Sequence, residues 1–240
     1  NRYKFNFEID DDTTLWCCSK EKCIESFELL RPDEWRNYPL NFIRHMDKRN
    51  EFSKASIESI SKDPLQEDFY KKWSLLKEGK IKDIYLSGQL GAGKTHCFFA
   101  AMKDVCKNGK GMTVQIMTEN ELYAKIKSTW DRGREEYSEK KFIDEISSVD
   151  FLFLDDLGSA IKTNQGDWGN QVLLDILDER LNSYTLRTVI SSNRTIDELK
   201  DIYNDRICDR LKKMTQSFLS GESRRKSVNL EEKKIDQENS

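Results

Sequence analysis

No stretch of this 240-residue chain is apolar for long enough to span a bilayer, and no signal-peptide pattern opens it. Neither a membrane span nor a secretory leader is therefore expected, and a cytoplasmic location is. An excess of one charge sign is also lacking. The 40 Lys and Arg against 43 Asp and Glu leave a net charge of −3, so nucleic acid would have to be met through a local patch. Paired metal ligands are missing as well. Cys17, Cys18 and Cys23 cluster near the start, yet no second Cys-x-x-Cys pair and no paired histidine completes a four-ligand zinc set. Zinc is not expected here unless sequence upstream of Asn1 supplies ligands. Cys97, Cys106 and Cys208 fall in helical runs and read as small apolar filling, kept as thiols.

What is present is more specific. Residues 88–95 read Gly-Gln-Leu-Gly-Ala-Gly-Lys-Thr, a complete GxxxxGK[S/T] phosphate-binding loop behind the apolar stretch Ile84-Tyr85-Leu86. Gly88, Gly91, Ala92 and Gly93 let backbone N–H groups turn inward around phosphates, and Lys94 reaches the β- and γ-phosphates. Thr95 offers a hydroxyl to Mg²⁺, and the helix that starts there with His96 directs its positive end at the anion. The bare pattern arises by chance in roughly one chain of this length in a hundred. ATP or ADP with Mg²⁺ is the expected ligand, and Lys94 is expected to be solvated when no phosphate holds it.

Strand and helix alternate from about Phe69 onward, the pattern of a parallel sheet sandwiched by helices. Strands are expected at 81–87, 112–117, 151–154, 188–192 and 216–219. Helices are expected at 94–106, 119–130, 137–149, 167–184, 196–200 and 205–214. The ligand then sits at the C-terminal ends of the strands. Ahead of this unit, Tyr3, Phe5 and Phe7 alternate like a strand, and residues 21–60 read as short helices and connections around Pro32 and Pro39. The organisation expected is a small partner-binding region at 1–50, an ATPase domain at 51–228 and a polar, disordered tail at 229–240.

The third strand ends in Asp155-Asp156. Asp155 is placed to hold Mg²⁺, and Asp156 to orient or deprotonate an attacking water. An acidic turn after a core strand is common, but here it follows a phosphate loop at a suitable spacing. The fourth strand ends in Ser191-Ser192-Asn193, where Asn193 either senses the γ-phosphate or joins Thr195 in capping the next helix. Arg206 and Arg210 share one helical face; they are salt-bridged surface groups, or one is an arginine finger for a neighbour's γ-phosphate. Arg224 and Arg225 follow the last strand, where they can feel a nucleotide or a partner.

Together these elements resemble the DnaC/DnaI/IstB group of AAA+ ATPases, bacterial and phage helicase loaders and related transposition ATPases. The resemblance runs from about Lys48 to Lys226. It is carried in order by Gly-Ala-Gly-Lys-Thr-His at 91–96, Leu-Asp-Asp-Leu-Gly at 154–158, Asp-Glu-Arg at 178–180 and Ser-Ser-Asn at 191–193. Asp-Arg-Ile-Cys-Asp-Arg-Leu at 205–211 and Gly-Glu-Ser-Arg-Arg at 221–225 complete it. It implies an α/β P-loop fold of the AAA+ type, a three-layer αβα sandwich with a five-stranded parallel sheet. Asp155 becomes the magnesium-side acid, Asp156 the catalytic acid and Asn193 the first sensor. Arg210, or alternatively Arg206, becomes the finger, and Arg224 or Arg225 the second sensor. The stretch 50–57 matches one that helps to form the base pocket. Few and polar residues follow Leu219, so no full helical lid is expected.

The partners implied are a replicative helicase, single-stranded DNA and further copies of the chain, joined through the ATP site. Tyr123, Lys125, Lys127, Trp130, Arg132 and Arg134 could stack on and neutralise a single strand, or simply form a solvated helix face. Two other readings stay open: a regulator that remodels a transposase, and a nucleotide-gated adaptor with negligible turnover.

Overall fold

The computed structural model describes residues 54–108, 112–130, 138–159 and 166–220. Its elements run α1 (Ile57–Ser61), α2 (Glu67–Lys77), β1 (Asp83–Gly88), α3 (Lys94–Asn108), β2 (Val114–Thr118), α4 (Glu119–Trp130) and α5 (Glu139–Ser148). They continue with β3 (Phe151–Leu157), α6 (Gly166–Asn182), β4 (Arg187–Ser192), α7 (Ile196–Leu199), α8 (Asp205–Lys213) and β5 (Thr215–Leu219). The five strands form one parallel sheet in the order β2-β3-β4-β1-β5.

Successive strand residues face opposite sides of a sheet, so a strand covered on both faces must be apolar throughout. That is why Phe151-Leu-Phe-Leu154 is unbroken: Phe151 and Phe153 enter one core, Leu152 and Leu154 the other. Ile84 and Leu86 divide from Tyr85 in the same way. On the first face α1, α2 and α3 supply Ile60, Phe69, Trp73, Phe98 and Met102, with Phe98 edge-on to Phe153 at 5.7 Å. On the second, α4, α5, α6 and α8 supply Leu122, Ile126, Ile146, Leu173, Ile176, Leu177, Ile207 and Leu211. Each such side chain, fully buried, contributes about 1.5–3 kcal/mol. The architecture is the expected three-layer α/β sandwich.

The strand bounds lie within three residues of those expected. β1 starts at Asp83 because that carboxylate accepts the Thr188 N–H at 2.9 Å, while Ile81 only packs on the core edge. β2 starts at Val114, and Met112, expected inside it, is 40% exposed. β3 runs on to Leu157 through a register shift against β4 between Leu154 and Leu157. Helix α2 was not anticipated. Its anchors Phe69, Trp73 and Leu76 recur at helical spacing, and Trp73 Nε1 donates to Asp104 at 2.8 Å. The region 1–50, its cysteines, the tail and the question of a lid beyond Leu219 lie outside the described residues.

Candidate nucleotide-binding site

The loop from Gly88 to Lys94 follows the C-terminal end of β1, between the ends of β4 and β5. Gly93 has φ +101, a conformation strained for any residue with a Cβ, and a Cβ there would also push aside the end of the Gln66 side chain, 2.6 Å away at Nε2. Gly91 also has positive φ, Gly88 pairs with Leu219, and Ala92 is buried. Lys94 corrects an expectation. It is not solvated: only 6% of it is exposed, and its ammonium donates to the carbonyls of Gly88 and Gln89 at 2.8 Å each. Loop carbonyls are nearby acceptors that cover the charge, and phosphate oxygens would compete with them.

Thr95, on the first turn of α3, donates to Asp155 Oδ2 at 3.1 Å. Asp155 also accepts from the Ser191 hydroxyl, and Ser191 Oγ takes the Asp156 N–H at 3.1 Å. Burial pushes the Asp155 carboxyl above its usual range; hydrogen bonds from Ser191 and Thr95 oppose that, and the neighbouring Asp156 adds to it. A desolvated carboxylate beside a hydroxyl is a hard-oxygen pair. It suits Mg²⁺, which keeps several of its own waters and needs few protein ligands.

Asp156 has φ +59, a left-handed conformation that costs a non-glycine residue on the order of 1–3 kcal/mol but is commonest for Asn and Asp. The bulge in β3 and this conformation turn its carboxylate toward β4, where Asn193 Nδ2 donates to Asp156 Oδ1 at 2.6 Å. Asn193 is not consumed as a helix cap. Thr195 caps α7 by itself through a capping box with Glu198, which leaves the amide to the acid.

The remaining residues divide. His96 Nε2 lies 3.2 Å from Ser59 Oγ, so this side chain ties α1 to α3. Arg210 Nε donates to Asp178 Oδ1 at 2.5 Å and its NH1 to Asp209 at 3.0 Å, while Arg206 is exposed. Arg210 therefore stands half-buried beside a shallow cleft of about 510 Å³ at the N-terminal edge of the sheet, away from its own phosphate loop. Tyr123 corrects a second expectation: it is 2% exposed and bonded to the Gly169 carbonyl at 3.1 Å, so it cannot stack on a base. Lys127 lies over the Trp168 ring at 5.8 Å, and burial pulls the Lys125 ammonium down to about 8. The Trp130 side chain, Arg132, Arg134, Arg224 and Arg225 fall outside the described residues.

Ser191, Gln66 and Asp178 were missed by sequence reasoning. Ser191 had a signal, a serine pair ending an otherwise apolar strand; Asp178 stands in the Asp-Glu-Arg run, but its pairing with Arg210 follows only from packing, and Gln66 had no signal.

The loop, the acidic turn and the facing amide on a β2-β3-β4-β1-β5 sheet define a P-loop nucleotide-binding protein of the AAA+ type. The chain belongs to the family described as IstB-like ATP binding protein, whose model matches residues 76–231. It is similar to the replicative helicase loader DnaC of Buchnera aphidicola subsp. Baizongia pistaciae, 29% identical over 132 residues, which are 55% of this chain and 51% of that protein. The chain thus spans about half the length of the curated relative it matches. In fold it resembles a crystal structure of DnaI, with TM-score 0.55 and 23% identity over 73% of this chain and 93% of that one. A structure of the replication initiator DnaA bound to AMPPCP and single-stranded DNA superposes with TM-score 0.60 and 20% identity, covering 78% and 56%.

Proposed function

We propose that this chain is an ATPase that assembles with copies of itself, contacts single-stranded DNA and delivers a replicative helicase. The observation that carries the reading is the Asn193–Asp156 pair at 2.6 Å, set beside the Thr95–Asp155 pair at 3.1 Å at the mouth of the phosphate loop. Lys94 would exchange the Gly88 and Gln89 carbonyls for β- and γ-phosphate oxygens. Thr95 and Asp155 would hold Mg²⁺, which supplies neutralising charge at the phosphates. Asp156 orients an attacking water and receives its proton, and Asn193 fixes the carboxylate and meets the γ-phosphate. Asp retracts the carboxylate by one methylene compared with the Glu that many such ATPases carry, so basal turnover is slow. Arg210 of one copy, with Arg206 as the alternative, completes the next copy's site, and Arg224 or Arg225 acts as second sensor. The DNA contact draws on Lys127, Trp130, Arg132 and Arg134, with the half-buried Lys125 at its margin. Residues 1–50 form the partner-binding region, 51–228 the ATPase domain and 229–240 a tail. The similarity to DnaC, a replicative helicase loader, supports the choice of partner.

Family membership also supports a transposition ATPase. An Asp156→Asn variant loaded with ATP separates the readings by what it retains from the source cell. A replicative helicase supports the loader and a transposase the alternative. Tight ATP binding by the unaltered protein without turnover, with or without single-stranded DNA, would leave a nucleotide-gated adaptor.

A further inference from the structure

Glu119 opens α4, where an acidic residue is ordinarily accounted for by the helix dipole. That account does not hold here. Thr118 and Glu121 already close the helix end, since the Thr118 N–H donates to Glu121 at 2.7 Å and the Glu121 N–H to Thr118 at 3.2 Å. Glu119 instead turns inward and is 1% exposed. Burying a carboxylate is costly, so its partners matter. Its Oε2 accepts the Gly158 N–H at 2.9 Å and its Oε1 accepts the Tyr203 hydroxyl. The same Gly158 N–H lies 3.0 Å from the Tyr203 oxygen, so the three groups meet one another, and the Tyr123 hydroxyl also lies against the Glu119 carboxylate. Burial and the Glu119 carboxylate push the Tyr203 phenol far above its usual range, so it stays protonated and donating.

The set grips the backbone two residues past Asp156. Gly158 has φ +83, and a Cβ there would come within 2.6 Å of Leu199 Cδ2, so the turn is pressed against α7. The Ser159 N–H closes the turn on the Asp156 carbonyl at 3.1 Å, and Ser192 Oγ holds the Leu157 carbonyl at 2.7 Å. At the other end, Tyr203 immediately precedes Asn204, the N-cap of α8, whose first turn carries Arg206.

We infer that Glu119 and Tyr203 are positioning residues for hydrolysis: a buried strut that holds the Asp156 turn in its left-handed conformation and yokes it to the N-terminus of the arginine-bearing helix α8. This rests on the ATPase reading above. Neither residue reaches the nucleotide; both act through Asp156 and α8.

Tyr203→Phe keeps the ring and removes the hydroxyl. Its turnover of ATP should fall about tenfold or more, as expected when a catalytic group is displaced by a distant change. Affinity for a non-hydrolysable ATP analogue should stay within about twofold, because the phosphate loop is untouched. Amide hydrogen exchange should rise at 156–159 and 205–208 but not in β1 or β4. Glu119→Gln should be milder than Glu119→Leu, since an amide can still accept from Gly158 and donate to the Tyr203 oxygen. Normal turnover in Tyr203→Phe overturns the inference, as does a Glu119→Gln variant no better than a folded Glu119→Leu. If the unaltered protein binds ATP without hydrolysing it, the ATPase reading fails. The exchange pattern then still decides the strut, and unchanged exchange at 156–159 in Tyr203→Phe overturns it.

Discussion

At the N-terminal edge of the sheet, the buried guanidinium of Arg180 donates to the carbonyls of Ile146, Ser147, Val149 and Arg187 and to the Thr188 hydroxyl. Nearby, Lys82 donates to the carbonyls of Arg180, Leu181 and Ser183, ending α6. At the C-terminal edge the cation is Lys94, held by two loop carbonyls, and the acids Asp155 and Asp156 are held by Thr95, Ser191 and Asn193. Both edges bury polar groups, but with different partners. Below, cations satisfy backbone carbonyls that cannot move without unfolding a helix end or a strand. Above, acids and a cation face hydroxyls, an amide and loop carbonyls, partners that phosphate and Mg²⁺ would replace under the ATPase function proposed above. The polar groups below are fixed into the scaffold, and those above, under that proposal, are the ones that exchange.

Arg210 tests that division hardest, because it stands at the lower edge, ion-paired to Asp178, and yet is proposed to act on a neighbouring copy's nucleotide. Arg210→Ala should bind nucleotide nearly normally but lose about a thousandfold or more in turnover. Mixing it with Lys94→Ala, which has a broken loop and an intact Arg210, should restore part of the activity at mixed interfaces. A mixture as inactive as each variant alone would put Arg210 with the scaffold, and a fall in unfolding free energy would accompany it.

Arg180 lies squarely in the scaffold. Arg180→Met keeps most of the apolar stem but strands several buried carbonyls, each costing about 1–3 kcal/mol when left without a donor. Relaxation recovers some of this, so a loss of about 3–5 kcal/mol in urea unfolding is expected, with unchanged nucleotide affinity in the fraction still folded. A loss below about 1 kcal/mol would place Arg180 among ordinary surface substitutions and erase the contrast between the edges.

Much of this arrangement was legible in the chain, and for separable reasons. The phosphate loop, Asp155-Asp156 and Asn193 were readable because each stands at a strand end, and apolar runs locate strand ends well. Helix α2 carried its signal at Phe69, Trp73 and Leu76 but lay before the first strand, where the alternation that identifies neighbouring elements had not begun. Lys94 was misjudged because solvation was assumed for a group whose acceptors are carbonyls of its own loop, invisible to side-chain patterns. The Asp-Glu-Arg run at 178–180 reads as a motif, but its division of labour follows only from packing: Asp178 holds Arg210 and Arg180 holds the strand starts. Glu119 gave no signal at all, since an acid at a helix start is the ordinary case.

The smallest expected effect separates the edges by pH. Burial raises both Asp83 below and Asp155 above. Lys82, the Thr188 N–H and Arg180 oppose the shift at Asp83, whereas hydrogen bonds alone oppose it at Asp155 and Asp156 reinforces it. A carboxyl raised in the folded state binds its proton more tightly folded than unfolded. Its contribution to stability is therefore full below the unfolded value and is lost as pH rises through the folded one. Unfolding free energy of the unaltered protein minus that of Asp83→Asn should accordingly grow as pH falls from neutral toward the ordinary carboxylate range. The difference against Asp155→Asn should grow likewise. Taking differences removes the opposite slope contributed by exposed, ion-paired acids such as Asp209. Adding Mg²⁺ with ATP should flatten the Asp155 difference, because a divalent cation favours the ionised carboxylate, and should leave the Asp83 difference as it was. Equal flattening at both acids, or at neither, would mean that Mg²⁺ does not distinguish the two edges and that Asp155 is a scaffold residue like Asp83.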